Sequence, residues 1–217
     1  FDVPKSKISI VANGIDTNIF KPVDSITRED CTVMVTASAD IPLKGLDYLL
    51  RSVADLRSEF PQLQLLVLGK LKPDGDTAKL IKRLKLSDNI TFYSGLSSEE
   101  VSALYARATC AVVPSIYEGF GLPAGEAMAC GVPVISTNGG ALPEVVGDAG
   151  IIVPTRDHGA ISTALRLLLT NAEHRHALSK KGRNRINEYF SWNVAASEMT
   201  ELYHQIISGK TDVSTDS

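Results

Sequence analysis

The sequence has little that could hold it together covalently or tie it to a special environment. Its 217 residues include only 3 cysteines, Cys31, Cys110 and Cys130, far apart and without C-x-x-C spacing. That excludes a disulfide framework and argues for buried free thiols in a reducing, cytosolic compartment. There are 4 histidines, His158, His174, His176 and His204, all in carboxy-terminal segments of helical pattern. None belongs to a ligand constellation, and the rings of His174 and His176, two apart on a helix, point away from each other, so no metal is expected. No run approaches the roughly 18–20 apolar residues of a membrane span, and no signal peptide opens the chain. Neither sign of charge dominates: 22 Lys and Arg face 25 Asp and Glu, a net −3. Nucleic-acid wrapping is therefore not expected. The first residue is Phe, as expected of a piece of a longer protein.

What remains is ordinary in composition, 44% hydrophobic and 22% charged, in a length that suits one domain with a substantial core. Six apolar, mostly β-branched runs punctuate it, at 32–38, 63–68, 89–93, 110–114, 133–137 and 150–153. Their near-continuous hydrophobicity is that of parallel strands covered on both faces. Between them lie helical patterns at 43–60, at 77–86, from Ser97 onward, after Gly121 as far as Gly131, from Asp157, at 172–189 and at 192–207. Ser97-Ser98-Glu99-Glu100 carries a capping-box pattern, and the helix behind it turns Val101, Leu104 and Tyr105 inward. The alternation predicts an α/β fold: a Rossmann-like, doubly wound parallel sheet of about six strands with helices on both faces, plus carboxy-terminal helices. Residues 1–23 are expected to form a connector on the domain edge, 24–207 the domain and 208–217 a disordered polar tail.

Such sheets bind ligands beyond the carboxyl ends of their strands. Three segments converge there: Lys44 after the first strand, Gly139-Gly140 after the fifth, and the stretch from Tyr117 to Gly131 after the fourth. In the last of these, a glycine turn through Gly119, Phe120, Gly121 and Leu122 opens a small-residue helix, an arrangement whose amides and dipole favour a phosphate. Taken alone, Gly119, Gly121 and Gly125 also fit a tight strand-to-helix turn, and Glu126 a carboxylate balancing a helix dipole. Glu118 and Glu126 are acceptors only, so beside an anion site they are suited to hydroxyls, as on a ribose or sugar.

With seven residues between two glutamates, Glu118–Glu126 resembles the EX7E motif of retaining family-4 glycosyltransferases of the GT-B fold. Pro133-Val134-Ile135, Gly139-Gly140, Pro143-Glu144-Val145-Val146, Asn13-Gly14-Ile15-Asp16 and Phe190-Ser191-Trp192 are similar to the carboxy-terminal half of that family, over residues 5 to 207. The resemblance implies a donor-binding domain that transfers a sugar from a UDP-, GDP- or ADP-sugar, without metal, to an unidentified acceptor. An amino-terminal Rossmann domain, which this chain lacks, is its implied partner. By the same resemblance Glu126 would bind the ribose, and Glu118 would sit by the donor sugar. Phe120, Gly121 and Leu122 would offer amides, and Lys44 would neutralise the pyrophosphate. Many members carry an Arg five residues before that lysine; here Ala39 stands there, so either another cation such as Lys70 or Lys72 replaces it or the leaving group is stabilised less or differently. A phosphorylase or synthase of the same fold, or a non-catalytic nucleotide-sugar-binding module, are the competing readings. The basic run 180–185 reads as a solvated helical face, with a peripheral membrane contact if the acceptor is a lipid.

Overall fold

A computed structural model of the chain describes residues 3–4 and 7–208. Six strands form one parallel sheet: β1 (Thr32–Thr36), β2 (Gln64–Leu68), β3 (Ile90–Tyr93), β4 (Cys110–Val113), β5 (Val134–Thr137) and β6 (Ile151–Val153). Their order is β3-β2-β1-β4-β5-β6. The direction of winding thus reverses between β1 and β4, which leaves a crevice beyond the carboxyl ends of those two strands.

The alternation of side chains sorts the core into two layers. Val33, Val35, Leu65, Val67, Cys110 and Val112 face α1 (Leu46–Leu56), α2 (Asp76–Leu84) and α6 (His158–Thr170). Met34, Leu66, Ala111, Val113 and Val134 face α3 (Ser98–Arg107), α4 (Leu122–Ala129), α5 (Leu142–Val146) and Ile186 of α7 (Ala172–Tyr189). Burial on both faces explains why these strands read as unbroken apolar runs. The thiols of Cys110 and Cys130 are unpaired, and burial pushes both up to about 12, which makes them inert packing groups.

Several boundaries follow the sequence closely. Ser97 caps α3 with both halves of the capping box made, and α7 and α8 (Trp192–Ile207) span the residues read as helical. Two elements differ. A 3-10 turn at Pro42–Lys44 and Gly45 at φ 63° precede α1, so the helix starts at Leu46 and not at 43. Behind the glycine turn that follows β5, expected over 138–144, Leu142–Val146 form the short helix α5, which Pro143 can enter because the first helical turn needs no amide from it.

Within the connector, Ile15 pairs with Ser191 in a parallel bridge and is buried, and Phe20 packs beside Tyr105. A Cβ on Gly125 would lie 2.7 Å from Ile15 Cδ1, so this glycine lets the connector press onto α4. Trp192 touches Gly14 yet keeps 58% of its surface exposed, so it anchors α8 only in part. The tail expected at 208–217 lies outside the described residues beyond Ser208. No helix among the described residues is long and apolar enough to cross a membrane.

Candidate functional site

Three loops meet at the crevice, and each packs on its neighbour through backbone. The loop after β1 reaches the loop after β4 through Ile116, whose amide donates to Leu43 O at 2.8 Å. Gly45 sits where a Cβ would fall 2.0 Å from Pro114 O. The loop after β5 fits as closely: a Cβ on Gly140 (φ 64°) would meet Glu118 O at 2.1 Å, and Ala141 donates its amide to that oxygen at 2.9 Å. Gly139 and Gly140 therefore join two loops, and the Gly139 amide is taken by Thr137 Oγ1 at 3.3 Å. Gly45→Ala combines a left-handed backbone with a clash against a carbonyl that cannot yield. We expect a loss of about 2–4 kcal/mol of stability, read as a lowered denaturant midpoint.

Lys44 Nζ donates to Glu118 Oε1 at 2.7 Å, with 31% and 13% of the two side chains exposed. Ser115 Oγ donates to the same carboxylate oxygen at 2.8 Å. The buried Thr137 hydroxyl in turn donates to Ser115 O. These contacts hold a cation and a carboxylate side by side at the crevice. One residue further on, Gly119 faces open space, since an added Cβ would meet nothing within 4 Å. Nothing in the chain requires a glycine there. Gly121, by contrast, has φ 101° and lies against Leu142.

Among the described residues, the backbone amides of Gly119, Phe120, Gly121 and Leu122 donate to no other group of the chain. They stand in succession at the start of α4, where the helix dipole is positive. Glu126, one turn along the same helix, is half-buried. Burial raises its carboxyl to about 7, against a hydrogen bond from Tyr105 that lowers it. Amides, a lysine and a carboxylate together suit a ligand that carries both phosphates and neighbouring hydroxyls.

The structure brings Lys44, Glu118, Gly119, Phe120, Gly121, Leu122 and Glu126 to one rim, with Gly139 and Gly140 behind them. Ala39 is buried, and Asp40 beside it accepts from the Thr77 amide at 2.8 Å, which fastens the loop to the start of α2. That hydrogen bond, with Lys72 nearby, holds the Asp40 carboxyl below its ordinary value. Lys70 and Lys72 are exposed and make no hydrogen bond or ion pair with Lys44, Glu118 or the start of α4.

Tyr105 had been legible only as an inward helix residue. Its hydroxyl lies 3.1 Å from Thr36 Oγ1, 3.2 Å from Pro123 O and 3.4 Å from Glu126 Oε2. A buried phenol hydroxyl needs partners, and that requirement is the available signal.

The profile of the family described as "Glycosyl transferases group 1" matches residues 20–185. A curated relative, the MMP alpha-(1->4)-mannosyltransferase of Mycolicibacterium hassiacum, is 41% identical over 96% of this chain and 51% of its own length. Sucrose-phosphate synthase from Thermosynechococcus elongatus superposes with a TM-score of 0.78 at 30% identity, over 92% of this chain and 52% of that one. An Anabaena protein solved in complex with UDP and glucose superposes at 0.79, over 90% of this chain and 56% of that one; at 20% identity it speaks for the fold alone. The chain spans about half the length of the curated relative it matches. With that profile matching residues 20–185, most of its length, this chain belongs to the group 1 glycosyl transferases.

Proposed function

We propose that the chain is the donor-binding half of a retaining glycosyltransferase that takes a sugar from a nucleoside diphosphate sugar. The observation that carries this reading is the run of four unpartnered amides from Gly119 to Leu122, flanked by Lys44 and Glu126. The amides and Lys44 receive the pyrophosphate. Glu126 accepts hydrogen bonds from the ribose hydroxyls, and Glu118 stands by the sugar while holding Lys44.

As the bond from the anomeric carbon to the phosphate oxygen breaks, positive charge develops on the sugar ring and negative charge on the departing diphosphate. Donors fixed in advance around the phosphates stabilise that negative charge more in the transition state than in the bound donor. No second cation stands at Ala39, so the amides carry a larger share here than in a site with two cations. The acceptor meets the donor from a second domain across the crevice, and this half by itself binds donor without appreciable turnover.

The test is calorimetric titration of the chain with UDP, GDP and ADP. Binding of at least one, competed by inorganic pyrophosphate, is the expected result. A folded sample that binds none of the three would overturn the proposal.

A further inference from the structure

Glu126 is the carboxylate on which nucleotide recognition rests in the proposed function, and Tyr105 is the side chain within hydrogen-bond distance of it among the described residues. Tyr105 comes from α3, a different element, and is 1% exposed. Its hydroxyl joins three pieces of the rim: Thr36 at the end of β1, Pro123 O in the first turn of α4, and Glu126 one turn further along. The arithmetic of one hydrogen decides what such a junction does. Thr36 can donate to the phenol oxygen, which frees the single phenolic hydrogen for either Pro123 O or Glu126. A carboxylate is the stronger acceptor, so the hydrogen goes to Glu126 when that group is charged and to the carbonyl when it is not.

We propose that Tyr105 is a positioning residue whose hydroxyl, held from behind by Thr36, orients the Glu126 carboxylate toward the vicinal hydroxyls of the ribose. This rests on the assignment of Glu126 to the ribose. With one lone pair of Oε2 engaged from behind, the carboxylate is kept from rotating, and Oε1 and the remaining lone pair of Oε2 are left to accept from a ligand. Phe at this position would keep the ring packing against Phe20 and remove only the hydroxyl, which donates to Glu126 and accepts from Thr36.

The experiment compares one nucleoside diphosphate that binds in the titration with its 2′,3′-dideoxy counterpart, which keeps the pyrophosphate and base but lacks the diol. Tyr105→Phe is expected to weaken the parent nucleotide by about tenfold, the scale of one hydrogen bond to a charged group, and to leave the dideoxy compound nearly unchanged. It is also expected to move the pH at which parent affinity is half-maximal upward, since the charged carboxylate loses a donor. Thr36→Val keeps the tyrosine and removes its anchor, and is expected to give the same ligand-selective loss at smaller size; it carries the test if the Phe variant does not fold. Equal losses on both compounds, or no loss on either, would overturn the positioning role. Should Glu126→Gln discriminate the two compounds as the wild type does, the ribose assignment itself falls, which separates the failure of that reading from the failure of this one.

Discussion

Lys44→Met weakens nucleoside diphosphate binding by about a hundredfold, and Lys44→Met/Glu118→Gln recovers about tenfold of that loss: these are the expected results at the cation of the rim. The first part is the loss of a charged contact to phosphate, worth about 1.5–3 kcal/mol. The second follows from the pair itself. In the wild type Glu118 is neutralised by Lys44 at 2.7 Å and is only 13% exposed. Without the lysine, that carboxylate keeps the Ser115 hydroxyl as its partner and faces an incoming diphosphate with its charge uncovered. Two like charges about 12 Å apart repel by about 1.4 kcal/mol at an effective dielectric near 20, a factor of about ten in affinity. Removing the second charge relieves this, so the double variant binds better than the single one. On the proposed function, transfer is not expected to be rescued, because the stabilisation of the leaving diphosphate stays lost. Calorimetry on the three proteins checks the claim, and equal affinities for single and double variants would show that Glu118 does not face the phosphates.

The second large effect concerns Glu126 and pH. Its carboxyl is raised from 4.5 to about 7, chiefly by burial. For a group raised in this way the protonated form is favoured by the fold, so its contribution to stability is greatest below about 4.5. That contribution shrinks as pH rises from 4.5 to 7, and above 7 the buried charge is a constant cost. Glu126→Gln is therefore expected to match the wild type in stability near pH 4.5 and to exceed it at pH 8 by about 1–3 kcal/mol, after allowance for partial solvent screening. At about 2–4 °C per kcal/mol in a chain of this size, the gap is visible in melting curves.

Ligand binding runs the other way. A diol donates both hydroxyls best to a charged carboxylate, so nucleotide affinity should rise from pH 6 to pH 8 and level off above the titration. Glu126→Gln should flatten that profile while lowering its plateau. A variant that is more stable yet binds worse marks a charge held for function at the expense of the fold. Parallel pH profiles in the two proteins would remove Glu126 from the site.

Much of the fold and of the site is legible in the amino-acid sequence, for identifiable reasons. Thr32–Thr36 and Val134–Thr137 announce themselves because strands covered on both faces need no polar alternation, and all four residues of β5 are buried. Ser97 and Asp157 mark helix starts because a side-chain oxygen does the work there that a missing backbone acceptor would do. Lys44, Glu118 and Glu126 could be gathered from far-apart positions because parallel strands all deliver their ends to one rim.

The remainder depended on contacts between segments. Whether Gly139 and Gly140 serve a ligand or a neighbouring loop depends on where Ile116 O and Glu118 O lie, and no spacing encodes that. Tyr105 reads as one more inward residue because its importance lies in Thr36 and Glu126, 69 and 21 residues away along the chain. The start of α1 shifted by three residues because Gly45 must take a left-handed backbone to pass under Pro114.

The backbone-to-backbone nesting of the three rim loops has a consequence for how a ligand is chosen. Side chains that line a pocket can swing aside and accommodate several shapes. The amides from Gly119 to Leu122, on a loop wedged against its neighbours at Gly45, Gly139 and Gly140, have no such freedom. A donor that reaches them finds a cast already set and loses little entropy to shaping it. Such a cradle discriminates by the placement of its hydrogen-bond donors, and a pyrophosphate displaced by even an ångström would find them pointing past it.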